Sequence, residues 1–124
     1  MLIHEELTEQ IIGSAIEVHR ELGPGLLESA YEECFCHELH LRSLKFQRQV
    51  SLPVAYKRLD LDCGYRIDVV VEESVIIELK SIEQILPVHL AQLLTYLRLG
   101  GKKVGLLINF NVSVLKNGIV RRVL

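Results

Sequence analysis

The sequence predicts a single domain of the α/β class over residues 1–124, and three observations favour this class. The chain has 124 residues, which is the length of one domain. Apolar residues recur every three or four positions in its first third and then at alternate positions, which predicts helices followed by strands. A later helical segment leads into a near-continuous apolar run, which is typical of a strand buried inside a sheet.

Two helices are predicted at the start of the chain. Between Glu5 and Leu22, apolar residues recur at steps of three and four and form one stripe of an amphipathic helix. Gly23-Pro24-Gly25 ends this helix, because glycine suits the left-handed position after a helix and proline cannot continue one. A second helical pattern runs from about Leu27 to Leu44. A pair of helices therefore precedes the strands.

Strands are predicted next, since the apolar residues change to an alternating pattern. Phe46 to Tyr56 alternates apolar and polar side chains, and Pro53 within this segment indicates an edge or a bend. Lys57 to Asp60 is predicted to be a turn. Tyr65 to Val71 and Val75 to Lys80 are two further predicted strands, and the short connection between them indicates an antiparallel hairpin.

The last third of the chain predicts one helix and two strands. Pro87 to about Leu99 carries leucines at helical spacing, with proline in the first turn and Gly100-Gly101 at the end. Lys103 to Asn109 is the buried strand. Asn117-Gly118 predicts a turn into a last short strand, Ile119 to Val123.

The charge of the chain limits the function classes. Fourteen Lys and Arg residues oppose sixteen Asp and Glu residues, and the net charge of -2 gives no sign of a nucleic-acid partner. Any contact with a polyanion must therefore depend on local positive charge or on a bound metal ion.

We expect a cytoplasmic protein without membrane contact. Met1 to Gln10 lacks the pattern of a signal peptide, and no apolar run reaches the ~20 residues that a membrane span needs. Cys34, Cys36 and Cys63 form no disulfide pattern, which suits a reducing compartment. Buried, reduced thiols are a better interpretation of the first two than a zinc-binding pair.

Three charged residues interrupt otherwise apolar strands. Glu78 and Lys80 share a face, because residues two apart on a strand point the same way. If the hairpin is centred on Glu73, Asp68 lies directly opposite Glu78, with Cβ atoms about 4.5 to 5.5 Å apart. Two carboxylates this close need a shared proton or divalent cation, and oxygen ligands favour Mg²⁺ or Mn²⁺. Metal-assisted hydrolysis of a phosphodiester is the chemistry that such a group of side chains supports.

An exposed hairpin is the alternative interpretation of the same residues. Its solvent face would carry Arg66, Asp68, Glu78 and Lys80 as cross-strand ion pairs. Alternating charge of this kind is common on exposed strands. The spacing alone favours neither interpretation.

Motifs around these residues resemble a known nuclease superfamily. Asp68, followed after nine residues by Glu78-Leu79-Lys80, is similar to the D...(D/E)xK signature of the PD-(D/E)xK nuclease superfamily. Gly25 to Tyr31 resembles the GxxExxY motif that names a family of small proteins assigned to that superfamily. Gln92 to Tyr96 is similar to the QxxxY motif of some exonuclease-type members. The resemblance extends from about Leu7 to Asn109.

This resemblance implies a restriction-endonuclease-like core of order αβββαβ, a central mixed sheet flanked by helices, with an extra N-terminal helix. It implies that Mg²⁺ or Mn²⁺ is held by Asp68, Glu78 and the backbone carbonyl of Leu79, and that Lys80 serves the attacking water. Glu28 is implied as a further metal ligand or as a carboxylate that orients water. The residues expected to contact substrate or to support the site are Gln92, Tyr96, Tyr31 and Arg66. Gln92 and Tyr96 are four apart and are expected on one face of the third helix, opposite its leucines. Tyr31 is expected to pack or hydrogen-bond, whereas Arg66 either approaches a phosphate or forms a cross-strand ion pair.

The leading hypothesis is therefore a metal-dependent nuclease that cuts DNA or RNA, with DNA as the preferred expectation. Two alternatives stay open. One is a catalytically silent nucleic-acid-binding or assembly module of the same fold, and the other is a metal phosphoesterase with a small substrate. A homodimer is also predicted, because so small a core needs a second subunit to grip a duplex.

Overall fold

Three helices flank a five-stranded mixed sheet in the computed structural model, which describes residues 3–124. The elements in chain order are α1 (Glu5–Leu22), α2 (Glu28–Leu41), β1 (Phe46–Ser51), β2 (Val54–Tyr56), β3 (Leu59–Leu61), β4 (Arg66–Val71), β5 (Val75–Lys80), α3 (Pro87–Gly100), β6 (Val104–Asn109) and β7 (Ile119–Val123). Within that range, no helix has both the length and the apolar character that crossing a membrane requires. The domain predicted over residues 1–124 includes Met1 and Leu2, which lie outside the described residues.

The sheet confirms the predicted fold class. Its strands are ordered β1-β4-β5-β6-β7, and β4 pairs antiparallel with both β1 and β5. β5 and β6 are parallel, and α3 supplies the crossover that a parallel pair requires. The helix α1, the hairpin β2–β3 and the edge strand β7 are additions to a core of order αβββαβ.

Residues with a left-handed backbone conformation determine where α1 and α2 end. Gly23 ends α1 with a φ of 67°, as the sequence predicts. α2 ends at Leu41 rather than at Leu44, because Ser43 has a φ of 59° and turns the chain. The Leu44 N–H then donates to the Leu39 carbonyl at 3.0 Å, which closes the helix end.

The segment after Pro53 contains one more strand than expected. The turn predicted over Lys57 to Asp60 is confined to Lys57 and Arg58, and Leu59–Leu61 pairs with β2. Lys57 and Arg58 have φ values of 46° and 71°. Left-handed values at both central positions match the right-handed twist of the strands in a two-residue hairpin.

Both faces of the sheet are buried. The helices α1 and α2 cover one face, and its cluster includes Phe35, Val69, Val71, Ile77, Leu79 and Phe110. The helix α3 covers the other face, and its cluster includes Ile67, Val70, Ile76, Leu93, Tyr96, Leu97 and Leu107. Burial on both sides explains why the central strands have near-continuous apolar sequences.

Gly105 of β6 allows α3 to lie close against the sheet. A Cβ atom at this position would lie 2.8 Å from Leu93 Cδ1 and 3.3 Å from Leu97 Cδ2. Both leucines are fully buried. Because α3 carries Gln92 and Tyr96, the spacing at Gly105 also determines where those side chains lie.

We expect Gly105→Ala to lower the free energy of unfolding by about 1–3 kcal/mol, because the new methyl group overpacks the interface between β6 and α3. Urea denaturation measures this loss. Gly100→Ala is the matched control, since its Cβ would lie 3.6 Å or more from the surrounding side chains. The packing argument fails if the two variants lose equal stability.

Candidate active site

Asp68 and Glu78 face each other where β4 and β5 stop pairing. The last paired residues are Val69 and Ile77, so one further step brings Asp68 opposite Glu78, in the register expected from the sequence. The Asp68 N–H donates to Glu78 Oε2 at 2.9 Å, and the Leu79 N–H donates to Asp68 Oδ2 at 2.8 Å. Each carboxylate is therefore held by a backbone donor of the opposite strand.

The sheet is distorted at the level of Asp68. Ile67 packs under α3 whereas Val69 packs under α2, although residues two apart on a regular strand share a face. The pairing of β1 with β4 passes over Gln49 and Asp68, and Gln49 has a left-handed φ of 50°. Both strands therefore reverse the direction of their side chains at the same level. Asp68 lies at this reversal.

A buried carboxylate of α2 holds the distorted segment of β1. Glu32 is 9% exposed, and its Oε2 accepts hydrogen bonds from Arg48 Nε at 3.0 Å and Nη2 at 2.8 Å. Its Oε1 accepts from Gln49 Nε2 at 2.7 Å. Arg48 Nη2 also contacts Glu33 Oε1 at 2.8 Å. Arg48 and Gln49, which are consecutive in β1, are thus both hydrogen-bonded to the Glu32 side chain of α2.

Sequence reasoning did not identify Glu32, Arg48 or Gln49 as neighbours of the site. The available signal was the spacing of Glu28 and Glu32, which lie one turn apart on the same face of a helix. The partners of Glu32 come from a strand whose distortion has no sequence signature. The sequence therefore contained a signal for Glu32 but none for its partners Arg48 and Gln49.

The surroundings of Asp68 and Glu78 disfavour the ionised form of both carboxyl groups. Burial, followed by repulsion from Asp68, raises the pKa of Glu78, which is 5% exposed. Burial also raises the pKa of Asp68, and the charges of Glu32 and Glu28 add to this rise. The Leu79 N–H and the Lys80 charge act in the opposite direction on Asp68. A proton or a cation near this pair therefore relieves the repulsion.

The exposed, ion-paired hairpin considered as an alternative is wrong. Glu78 is buried, and Arg66 donates to the Tyr65 carbonyl at 3.0 Å and to Ser51 Oγ at 3.4 Å. Over residues 3–124 the ion pairs join Arg20 to Glu17 and Arg48 to Glu32 and Glu33. None of them involves the charged residues of the hairpin.

Glu28 lies beside Asp68. It is the first residue of α2, and its Oε1 accepts the Ser81 N–H at 3.3 Å. Glu28, Asp68 and Leu79 line one cavity of about 500 Å³, together with the Glu32 and Gln49 side chains described above. The structure thus brings together Glu28, Asp68 and Leu79, three of the four metal ligands that the resemblance implies.

Lys80, Gln92 and Tyr96 lie around a second cavity, of about 720 Å³. Gln92 Nε2 donates to the Tyr96 hydroxyl at 3.0 Å. Tyr96 was expected opposite the leucines of α3, and this expectation is wrong, because its ring is 6% exposed and packs with Leu93 against the sheet. Burial, followed by the charge of Glu78, raises the pKa of Tyr96. The expected site residues therefore divide between two cavities.

Tyr31 contacts the turn before α2. Its ring is fully buried and stacks on Phe110 with centroids 4.3 Å apart. Its hydroxyl donates to the Gly23 carbonyl at 2.5 Å and accepts the Leu26 N–H at 3.2 Å. The tyrosine thereby fixes the turn that leads into Glu28.

The arrangement of core elements and of the Asp68, Glu78-Leu79-Lys80 group agrees with the nuclease class that the sequence resembles. A family model of the PD-(D/E)XK nuclease superfamily matches residues 5–123. The chain therefore belongs to this superfamily. No curated protein and no solved structure matches it at a significant level. The narrower resemblance to the GxxExxY family stays a prediction.

Members of this superfamily are typically nucleases that use Mg²⁺ or Mn²⁺, ions that bind to oxygen ligands. Within residues 3–124, no three His, Cys, Asp or Glu side chains are grouped closely enough to hold a metal ion. The opposed pair supplies two carboxylates, and the Leu79 carbonyl adds a backbone oxygen. In a strand, the N–H and C=O of one residue face the same neighbour, so this carbonyl points toward Asp68, past the end of the β4 pairing.

We expect Arg48→Met to lower the free energy of unfolding by about 2 kcal/mol, because Glu32 stays buried and loses the hydrogen bonds to its Oε2. The double variant Glu32→Met/Arg48→Met recovers most of this loss, since no unpaired charge remains. Arg20→Met is the control: Arg20 forms an exposed pair with Glu17, and its loss changes stability by less than about 0.5 kcal/mol. Equal losses at the two arginines, measured by urea denaturation, would contradict the proposed network.

We expect the metal-free protein to lose stability as the pH rises above 4.5, the ordinary pKa of Glu78. The folded-state pKa is raised, so the folded protein binds more protons than the unfolded chain between the two values, and this contribution disappears as Glu78 ionises. Glu78→Gln flattens the dependence, as measured by urea denaturation with a chelator at about pH 5 and pH 8. Glu73→Gln, in the exposed turn of the hairpin, keeps the native slope. A loss of stability in Glu78→Gln that is as steep as in the native protein, or steeper, would refute this assignment.

Proposed function

We propose that this chain is a Mg²⁺- or Mn²⁺-dependent nuclease that hydrolyses phosphodiester bonds at Asp68, Glu78 and Lys80. The observation that carries the proposal is the mutual fixation of the two carboxylates by backbone N–H groups at the point where β4 and β5 separate. Backbone donors hold both groups at short distance despite their repulsion. Such a pair is suited to bind a divalent cation.

The donor set is composed of oxygen atoms. Asp68 and Glu78 each use one carboxylate oxygen for a backbone N–H, which leaves the second oxygen of each for a cation. The Leu79 carbonyl adds a neutral donor, and Glu28, which lines the same cavity, is assigned to a water bound to the cation rather than to the cation itself. Oxygen ligands of this kind favour Mg²⁺ or Mn²⁺ over zinc. A bound cation of this type lowers the pKa of a coordinated water and polarises a phosphoryl oxygen.

Lys80 is assigned to orient the attacking water or to stabilise the negative charge that develops on the phosphate. It follows Glu78 by two residues on β5, and its positive charge acts to lower the pKa of both Asp68 and Glu78. Its positive charge is suited to this role, because a fixed cation stabilises developing charge without reorganisation. Glu28 is exposed at the start of α2 and is assigned to orient water at the metal.

The remaining residues support the site. Gln92 positions the Tyr96 hydroxyl, which lies within the electrostatic influence of Glu78. Tyr31 holds the turn before Glu28. Arg66 is exposed at the start of β4, where a phosphate can reach its guanidinium.

The substrate proposed is a nucleic acid, with DNA as the preferred expectation. The net charge of -2 does not oppose this, since the acids of the site are offset when a cation is bound. The homodimer and the cytoplasmic location stay predictions of the sequence.

We expect the purified chain to cleave DNA or RNA with Mg²⁺ or Mn²⁺, and Asp68→Ala and Lys80→Ala to reduce the rate by about 100-fold or more. Plasmid, linear duplex, single-stranded DNA and RNA are the substrates, and gel electrophoresis follows the products. Lys103→Ala is the matched control, because Lys103 is exposed beside the opposite end of the β5–β6 pair and loses the same charge.

Cleavage that persists in Asp68→Ala and Lys80→Ala would exclude the proposed site. Binding of nucleic acid without cleavage in either metal would favour the silent module. Hydrolysis of a small phosphodiester alone would favour the phosphoesterase. Thermal unfolding with and without Mn²⁺ separates metal binding from activity, because a bound ion stabilises the native protein and not Asp68→Ala.

A further inference from the structure

The cavity of about 720 Å³ beside Lys80 is larger than a metal site needs. Its size falls in the range of pockets that bind small organic groups, roughly 300 to 1,000 Å³. It lies between α3 and the segment that carries β2 and Tyr65, and it is open to solvent on the side of Val88, which is 65% exposed. The proposed chemistry at Asp68 and Glu78 does not use this space.

Two tyrosines form the aromatic part of its wall. Tyr65 is 45% exposed, and its ring meets the buried ring of Tyr96 edge-on, with centroids 6.4 Å apart and planes at 65°. Because the edge of one ring packs against the other, Tyr65 is held in place while much of its ring stays accessible.

The polar groups of the cavity are few and lie near the candidate site. Lys80 enters from β5, and Gln92 lies on α3 beside the Tyr96 hydroxyl. His89 accepts the Leu86 N–H at Nδ1 at 2.8 Å, so its neutral ring carries a proton on Nε2. The cavity therefore combines apolar and aromatic walls with a cation and two hydrogen-bonding side chains.

We propose that this cavity receives an unpaired nucleobase of a single-stranded nucleic acid, with Tyr65 as the stacking surface and Lys80 beside the adjoining phosphate. The inference rests on the proposed nuclease function for the choice of a nucleic acid as the occupant. A nucleobase has a flat apolar face and polar edges, which match the tyrosine ring and the Gln92 and His89 side chains. Base stacking on aromatic side chains tolerates any sequence, because every base has a π-face.

A paired base does not fit the same position. In a duplex, both faces of each base are covered by its neighbours, so Tyr65 has no face to contact unless the base leaves the stack. Lys80 lines this cavity, and its charge also acts on Asp68 and Glu78, so a base in the cavity has its adjoining phosphate near the proposed site. We therefore expect discrimination between single strands and duplexes at this cavity.

The test measures binding without cleavage, by fluorescence anisotropy in the presence of a chelator and at constant salt. The probes are a labelled single strand of about 20 nucleotides and a hairpin duplex with the same number of phosphates. Tyr65→Ala weakens binding of the single strand by about tenfold and leaves binding of the duplex unchanged within about twofold. Tyr65→Phe retains the native affinity, because the stacking face is kept.

Tyr56→Ala is the matched control. Tyr56 is 60% exposed at the β2–β3 turn and does not line the cavity, so its loss leaves both affinities unchanged. The inference is overturned if Tyr65→Ala weakens both probes equally, if it weakens neither, or if the native chain does not bind the single strand at about 100 µM.

The nuclease assay separates this inference from the proposed function. Tyr65-dependent binding of the single strand without cleavage in Mg²⁺ or Mn²⁺ overturns the nuclease activity and supports the base site. Cleavage that depends on Asp68 but not on Tyr65, with equal rates on single strands and duplexes, supports the nuclease activity and overturns the base site.

Discussion

The exchange of hydrogen bonds between Asp68 and β5 is the contact on which the site depends. Each carboxylate occupies the position of a backbone acceptor, so moving either one leaves an N–H group unpaired, at a loss of about 1–3 kcal/mol. This loss opposes separation of the two acids, whose pKa values are raised first by burial and then by the charges of neighbouring carboxylates. The resting protein thus keeps two acids together that would separate in solution, and a cation between them lowers the free energy of the pair.

The unequal lengths of the two ladders of β5 leave room for this contact. On the β6 side, pairing continues to Lys80, and the Phe110 N–H extends it by donating to the Lys80 carbonyl at 2.9 Å. On the β4 side, pairing ends at Ile77. The last three residues of β5 are therefore held rigidly from one edge while the other edge remains available. The Glu32 network performs the corresponding task for β1, because it holds the reversed segment around Gln49 against α2.

Much of the fold was predictable because its signals are local. The spacing of apolar residues located the three helices, and a short turn with alternating strands was enough to set the register of Asp68 against Glu78. The reversal at Gln49 was not predictable, since a glutamine with a left-handed φ depends on its bond to Glu32, a residue 17 positions away. The burial of Tyr96 depends in the same way on how closely α3 lies to the sheet.

The turn between α1 and α2 brings together residues with a structural role and a residue with a proposed chemical role. Gly25 has a φ of 103°, a backbone conformation that is strained for any residue with a side chain. The Tyr31 hydroxyl forms hydrogen bonds with the backbone of the same turn. Gly25 and Tyr31 thus shape the turn, whereas the Glu28 side chain between them is exposed and contacts only the Ser81 N–H among the described hydrogen-bond partners. If Glu28 serves the proposed metal chemistry, a related chain that keeps the fold and loses the activity is expected to keep the glycine and the tyrosine and to vary at position 28. The Gly-Glu-Tyr spacing would then combine two residues selected for the turn with one selected for the reaction.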